Sequence, residues 1–406
     1  MKKNQTSDEN SDEKAESKDL YKDYGVASNK SDIKANFESI IDNMYPGAFV
    51  NINDDPSNPD KRTTMHADGD GSKFIQRVLD YYENGDENVF AGTVDDGLSM
   101  NTSDIAAAGF VFGRIHIVDI FDCGNAKIKD IVTRQIKKRF QELIKIYKDF
   151  GFDLKFFGGE TADLPYQVKS GVFNVAVSAW ADKEDVVIGQ TKVDDIILGL
   201  HSDGQAVWED RPNFGGMSNG MTLLRGGAMD LIFNSKYPDL GDGHFYKGRY
   251  YPNDRPAILG GATISEAILS PTRQWAIVLR LIMEELKTRN ILHMLHGISI
   301  NTGGGATKIA NVGQGVTYVK INMSLPAPLF RFIQTETKQA WQYMYTTFNC
   351  GIGVDIVGED NANFINAVNT AVSSCHLTMS QLGFVKPSPD DKNHVILQTP
   401  YGRFEY

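Results

Sequence analysis

The chain is short of several things that would otherwise direct its reading. Its 406 residues include only three cysteines, Cys123, Cys350 and Cys375. They show no metal-ligand spacing, so they read as reduced, structural thiols rather than a disulfide framework or zinc site. No apolar run approaches the length of a membrane span and no signal peptide is read ahead of the fold, so the expectation is a cytoplasmic protein without a membrane partner. The phosphate loop Gly-x-x-x-x-Gly-Lys-Ser/Thr is missing, which excludes the commonest nucleotide-binding design. Basic residues are in deficit: Lys and Arg total 41 against 52 Asp and Glu, a net charge of −11. That balance argues against a general nucleic-acid surface. An acidic chain that binds phosphates must use metal ions and local backbone N–H groups.

What is present is a set of acidic motifs bounded by small residues. They are His66-Ala67-Asp68-Gly69-Asp70-Gly71-Ser72-Lys73, then Asp95-Asp96 with Asn101-Thr102-Ser103-Asp104, then Gly158-Gly159-Glu160-Thr161-Ala162-Asp163. Carboxylates from distant positions that converge are what Mg²⁺ requires, since it takes hard oxygen ligands and is shared with substrate phosphates. The Asp68–Lys73 stretch predicts a nest of N–H groups for a phosphate, with Lys73 beside it; the same residues also suit a plain Asp-Gly turn. No acidic residue stands where a calcium loop needs its twelfth ligand, which disfavours calcium. Asp104 opens a small, helix-forming stretch, so by itself it reads as a helix cap. Asp95 and Asp96 in a strand would point to opposite faces, so at most one of them joins the site. His66 reads as a structural histidine.

The length suits two domains. Residues 1–18 are polar and charge-mixed and predict a disordered tail; 19–190 form an amino-terminal domain and 191–406 a carboxy-terminal one. Apolar positions from Ile128 to Phe150 recur at helical spacing, with Gly151 as a stop. Leu154 to Phe157 reads as a buried strand delivering Gly158-Gly159-Glu160 at its end, and Val172 to Trp180 alternates like another. In the second half Ile196 to Leu200 reads as a strand, and Ser270-Pro271 as the start of a helix with Ser270 as N-cap. A strand follows near Val354 to Val357, then a helix from Ala362 to Ser374. Strands near Thr378 to Val385 and Val395 to Gln398 complete the reading. Strands and helices mix without a repeated βα unit, which predicts an α+β protein of two mixed domains.

Taken in order, the motifs resemble phosphoribosylformylglycinamidine cyclo-ligase, the aminoimidazole ribonucleotide synthetase of purine synthesis (the PurM family). The match begins at Tyr21-Lys22-Asp23-Tyr24-Gly25-Val26 and runs through the Asp68 loop, the Asp104 segment and Gly158-Gly159-Glu160-Thr161-Ala162. It continues with Ser218-Asn219-Gly220, Ser270-Pro271-Thr272-Arg273, Thr302-Gly303-Gly304-Gly305 and Thr347-Phe348-Asn349-Cys350-Gly351. The resemblance implies a PurM-like fold with each sheet covered by helices on one face. It further implies a homodimer whose amino-terminal sheets meet as a barrel, with the nucleotide site at the seam. By the same token it implies ATP and Mg²⁺ as cofactors and formylglycinamidine ribonucleotide as substrate. By the resemblance, catalytic duty falls on Asp68, Asp104 and Glu160, which with Asp96 hold metal; nucleotide contacts fall on Lys73, Thr161 and Asn219, and substrate contacts on Gly69, Gly71, Ser72, Thr302 and Gly303. Two departures stand out. Met217 occupies a position where the family commonly has histidine, and a family lysine after the Tyr-Lys-Asp motif has no clear counterpart. Alternatives are a PurM-like kinase acting on another small substrate, of the thiamine-monophosphate-kinase kind, and a non-catalytic nucleotide-binding subunit.

Overall fold

The computed structural model describes residues 19–26 and 36–406; the tail expected over residues 1–18 lies outside the described residues. The first half builds a five-stranded sheet from β1 (Asn53–Asp54), β2 (Lys61–Gly69), β3 (Arg114–Cys123), β4 (Asp153–Asp163) and β5 (Gly171–Asp182), in the order β1-β2-β5-β3-β4. All pairs are antiparallel except β3 with β4. On β5 the side chains of Phe173, Val175, Val177, Ala179 and Ala181 are buried, and that alternation fixes which face meets the helices. Three helices supply the first half's covering: α1 (Lys73–Asn84), α2 (Gly92–Ala107) and α3 (Ala126–Asp149). The predicted long helix is α3, and Gly151 follows it at φ 85°.

The second half builds a seven-stranded sheet in the order β14-β13-β10-β12-β6-β11-β9. In chain order these are β6 (Ile196–His201), β9 (Leu295–Ile300), β10 (Val316–Lys320), β11 (Ile352–Gly358), β12 (Met379–Pro387), β13 (His394–Thr399) and β14 (Gly402–Glu405). A small ribbon, β7 (Asp203–Gly204) with β8 (Asn213–Phe214), stands beside it. The longer helices here are α4 (Met221–Ala228), α5 (Trp275–Thr288), α6 (Pro328–Thr337), α7 (Trp341–Thr347) and α8 (Ala362–Ser374). The architecture is therefore α+β with two sheets, as the sequence predicted, and the strands expected in the second half form where expected. No helix among the described residues is long and apolar enough to cross a membrane.

Four local expectations are corrected. Asp95 and Asp96 lie on α2, not on a strand, and Asp104 sits in the last turn of that helix rather than at its start. Gly158, Gly159 and Glu160 fall inside β4 instead of following it, and the pairing of β3 with β4 shifts register beside the two glycines. Ser270 does not cap a helix: α5 begins at Trp275 after Gln274, while the Ser270 hydroxyl accepts from Phe214 N at 3.0 Å and donates to Asn213 Oδ1 at 2.9 Å.

Helix α2 positions the site. Every residue from Thr93 to Ala107 is buried, although many are polar, so each polar group needs a partner. Gly97 lets the helix lie against the sheet, since a Cβ there would stand 2.9 Å from the Phe173 ring. The far side of α2 meets the second half: Ser99 Oγ donates to Arg273 O at 2.5 Å, and Gln274 Nε2 donates to Asp95 O at 3.0 Å.

Candidate active site

His66 and Asp68 share one face of β2, because alternate strand residues point the same way. That face is the helix-covered one, for His66 pairs with Val177 and Asp68 with Val175. Asn101, on α2, ties helix to strand. Its Nδ2 donates to Asp68 O at 3.1 Å and Gly97 O at 2.7 Å, and its Oδ1 lies 2.9 Å from His66 Nδ1. Asp104 follows almost one turn later. The negative end of the helix dipole disfavours a carboxylate there by about 0.3–1 kcal/mol, so its charge calls for cations. Two approach: His66 Nε2 and Lys308 Nζ each stand 3.5 Å from Asp104 Oδ2. Burial raises the Asp104 carboxyl above its ordinary range, Lys308 and His66 pull it down, and Asp68 adds to the rise.

Lys308 links this group to the second half. It follows the glycine run and donates to Thr302 Oγ1 at 2.5 Å. Gly305 has φ 54° and no room for a Cβ against the Phe348 and Tyr345 carbonyls, so the run is held tightly beside the Thr347-Phe348-Asn349 segment. Asn219 Nδ2 donates to Thr347 O, and Ser72 Oγ lies 3.1 Å from Thr222 Oγ1 on α4. Four sequence-predicted segments thus converge: the Asp68–Ser72 loop, Asp104, Ser218–Gly220 and Thr302–Gly305. Asp104 Oδ1, Ser218 Oγ, Asn219 Oδ1 and Thr347 Oγ1 are buried without a hydrogen-bond partner. Native proteins leave few such groups unsatisfied away from functional sites.

Two expected site residues do other work. Lys73 is fully buried, and its Nζ donates to Asp96 Oδ1 at 2.9 Å and to Ser270 O at 2.6 Å. Asp96 also accepts from Arg77 on its other oxygen, and from Thr272 N at 2.8 Å and Thr272 Oγ1 at 2.6 Å. Three of these donors crowd Oδ1 and Arg77 takes Oδ2, so the carboxylate is engaged on both oxygens within the protein. Burial opposes ionisation of Asp96, yet Lys73 and Arg77 hold its carboxyl below the ordinary range. Asp96 is therefore corrected from metal ligand, and Lys73 from phosphate contact, to a buried clasp between the halves. Asp70 adjoins the clasp with Thr93 donating to it; burial pushes its carboxyl up to about 8 against the pull of Arg77.

Glu160 is the third correction. It pairs with Ile120 on the uncovered face of the sheet, whereas Asp68 pairs with Val175 on the covered face. β5 and β3 lie between β2 and β4, and each strand step adds about 4.8 Å. Within one chain Glu160 and Thr161 do not join Asp68 and Asp104. Among the described residues no three His, Cys, Asp or Glu side chains gather to hold a metal unaided. Asp68 and Asp104 still fit Mg²⁺, which takes one or two carboxylates and completes its shell from water and phosphate; the orphaned Asp104 Oδ1 is a free donor for it. Cys350 is buried and its thiol is pushed well up by burial, as expected of a structural cysteine. A separate cavity of 750 Å³ is lined by Arg139, Asp95, Glu209 and Arg273 among others, whose charges already pair with one another.

Sequence reasoning missed Lys308, Asn101 and the part played by His66. The His66 signal was present, because two residues before Asp68 on a strand is the same face. Nothing in the sequence linked Lys308 to Asp104.

Two α+β halves, each a sheet with helices packed against it, joined through buried polar contacts, give the fold class shared with PurM-like structures. The fold matches T. maritima PurL complexed with FGAR at a TM-score of 0.52 and 12% identity, covering 92% of this chain and 49% of that one. No family model matches the chain. In sequence it is a relative of proteins named phosphoribosylformylglycinamidine cyclo-ligase. That of Methanocaldococcus jannaschii is 29% identical over 301 residues, 74% of this chain and 72% of the relative. That of Neisseria meningitidis serogroup B is 28% identical over 355 residues, 86% of each. The resemblance carried by the motifs is borne out, and with it the expectation of a ligase.

Proposed function

We propose that the protein binds formylglycinamidine ribonucleotide and ATP and closes the imidazole ring of aminoimidazole ribonucleotide, releasing ADP and phosphate. The observation that carries this reading is the convergence of four motif segments on buried polar atoms without partners. The substrate's formyl oxygen attacks the γ-phosphate, which turns a poor leaving group into a good one. The amidine nitrogen then closes on that carbon and phosphate departs. Such chemistry requires positioning and charge neutralisation above all. Asp68 and Asp104 would hold Mg²⁺, which when bound neutralises phosphoryl charge. Gly71 and Ser72 offer a backbone N–H and a hydroxyl to a phosphate, while the Gly69 N–H, held by Asp68 Oδ1 at 2.7 Å, would turn to it once Asp68 binds metal. Thr302 and Gly303 face it from the second half with Lys308, and Asn219 completes the wall.

The expected homodimer would bring Glu160 and Thr161 to this site from a second copy. Support comes from the uncovered face of the first sheet, where Met65, Val118, Ile120, Phe157 and Val172 are exposed. A solvated apolar face of that extent marks an interaction surface. ADP release should depend on formylglycinamidine ribonucleotide. Release that depends instead on thiamine monophosphate would favour the kinase reading, and no release with either substrate would favour a binding subunit.

A further inference from the structure

Two opposite charges are sunk in the core of the second sheet. Lys320 ends β10 and Asp355 lies in the middle of β11, and neither has any solvent exposure. The two strands are not neighbours, for β12 and β6 run between them. Lys320 Nζ reaches Asp355 Oδ2 at 2.5 Å, while Asp355 Oδ1 is left without a partner. Removing two charges from water offsets most of what their attraction gains, and an unsatisfied oxygen adds to the cost. Stability therefore does not account for the pair; its other contacts do. Asn301 Nδ2 donates to Asp355 Oδ2 at 3.0 Å, and Lys320 Nζ donates to Ala306 O at 2.8 Å. Asn301 stands directly before Thr302-Gly303-Gly304-Gly305 and Ala306 directly after it. One ion pair thus holds both ends of the glycine run. Gly303, in the middle, is unpacked, since a Cβ there would meet nothing within 4 Å. Glycine has the most backbone freedom to lose, so fixing the two ends is what gives the run one shape.

We infer that Lys320 and Asp355 are positioning residues for the substrate phosphate: they fix the Thr302–Gly305 run in the shape that receives it. The inference rests on the reading, given under Proposed function, that Thr302 and Gly303 face a phosphate. A run ordered before the ligand arrives does not have to be ordered by binding. Ordering one backbone residue costs about as much free energy as a tenfold change in affinity is worth. Loss of the pair should therefore weaken binding of the ribonucleotide about tenfold. It should leave the chemical step alone, because both side chains act through Asn301 and Ala306, outside the run.

The test compares wild type with the double variant Lys320→Met/Asp355→Val in the full chain. Exchanging a buried ion pair for apolar residues is often neutral for stability, so the variant separates positioning from packing. Its KM for formylglycinamidine ribonucleotide should rise about tenfold with kcat kept, the mark of lost uniform binding. In the ligand-free protein, hydrogen exchange should quicken at the amides of Gly305 and Ala306, which donate to Thr302 O at 2.8 Å and Phe348 O at 3.2 Å, and not across the sheet. Asn301→Ala, which cuts the tie at the start of the run and leaves the ion pair, should move both readouts the same way if the double variant fails to fold. Wild-type KM and unchanged local exchange in a folded variant overturn the inference. So does exchange quickened throughout the second sheet, which would make the pair part of the packing alone. A wild type that neither binds nor turns over the ribonucleotide overturns the functional reading instead, and the exchange experiment, which needs no ligand, still shows whether the pair holds the run.

Discussion

At the scale of single residues, the site divides carboxylates that are spent on structure from those left free. Asp104 has an unpartnered oxygen and sits where a helix dipole works against it. Asparagine there keeps the shape and removes the charge. Asp104→Asn should leave the melting temperature near wild type and lower turnover by at least the roughly 10–100-fold that losing an outer metal partner costs; steady-state kinetics at saturating metal check it. Asp70 gives a pH signature. Its folded carboxyl titrates at about 8 against an ordinary 3.8, so the folded state favours the protonated form. The stability it contributes is whole below the ordinary value and is lost as pH rises through about 8. Thermal melts of Asp70→Asn and wild type should therefore diverge between pH 5 and pH 9, in favour of the variant, and parallel profiles would contradict the assignment. That the segments carrying Asp68, Asp104, Asn219 and Thr302 come together was legible because short motifs mark them. Lys73 and Asp96 were misread, since a sequence shows that charges are present but not which of them are buried against each other.

At the scale of elements, α2 explains both the successes and the errors. A helix buried on all sides yet rich in Asp, Asn, Ser and Thr has no amphipathic stripe, and periodicity had nothing to detect. Its polar groups are satisfied by distant elements: Asp95 by Arg139 on α3 at 2.8 Å, Thr102 by Tyr147 at 2.8 Å, Asp96 by α1 and by the Ser270–Thr272 strap. Where burial alternates, as on β5, or follows one stripe, as on α3 and α8, the reading held. Glu160 was misplaced because strand pairing carries β4 through both glycines, which turned a supposed loop into a lattice of fixed faces. The clasp makes a prediction of its own. Asp96→Asn leaves Lys73 and Arg77 buried with too little negative charge, and breaking a buried pair costs about 3–5 kcal/mol. Chemical denaturation should show that loss, while Asp68→Asn, at an exposed position, should cost little stability and much activity.

At the scale of the molecule, the two sheets meet through α2 and the Ser270–Gln274 strap, and the proposed active site is where their loops face each other. The first sheet leaves its other face bare, with Met65 75% and Phe157 65% exposed. If a second copy covers it, Phe157→Glu should convert a dimer to a monomer by light scattering and, by removing the Glu160 supply, abolish turnover; a wild-type monomer at micromolar concentration would contradict the proposal. The ring-closing reaction itself is tested most directly by labelling the formyl oxygen of formylglycinamidine ribonucleotide with a heavy isotope and analysing the products of incubation with ATP and metal by mass spectrometry. The account predicts aminoimidazole ribonucleotide together with the label in inorganic phosphate. Unlabelled phosphate, or ATP turnover without the imidazole product, would contradict it.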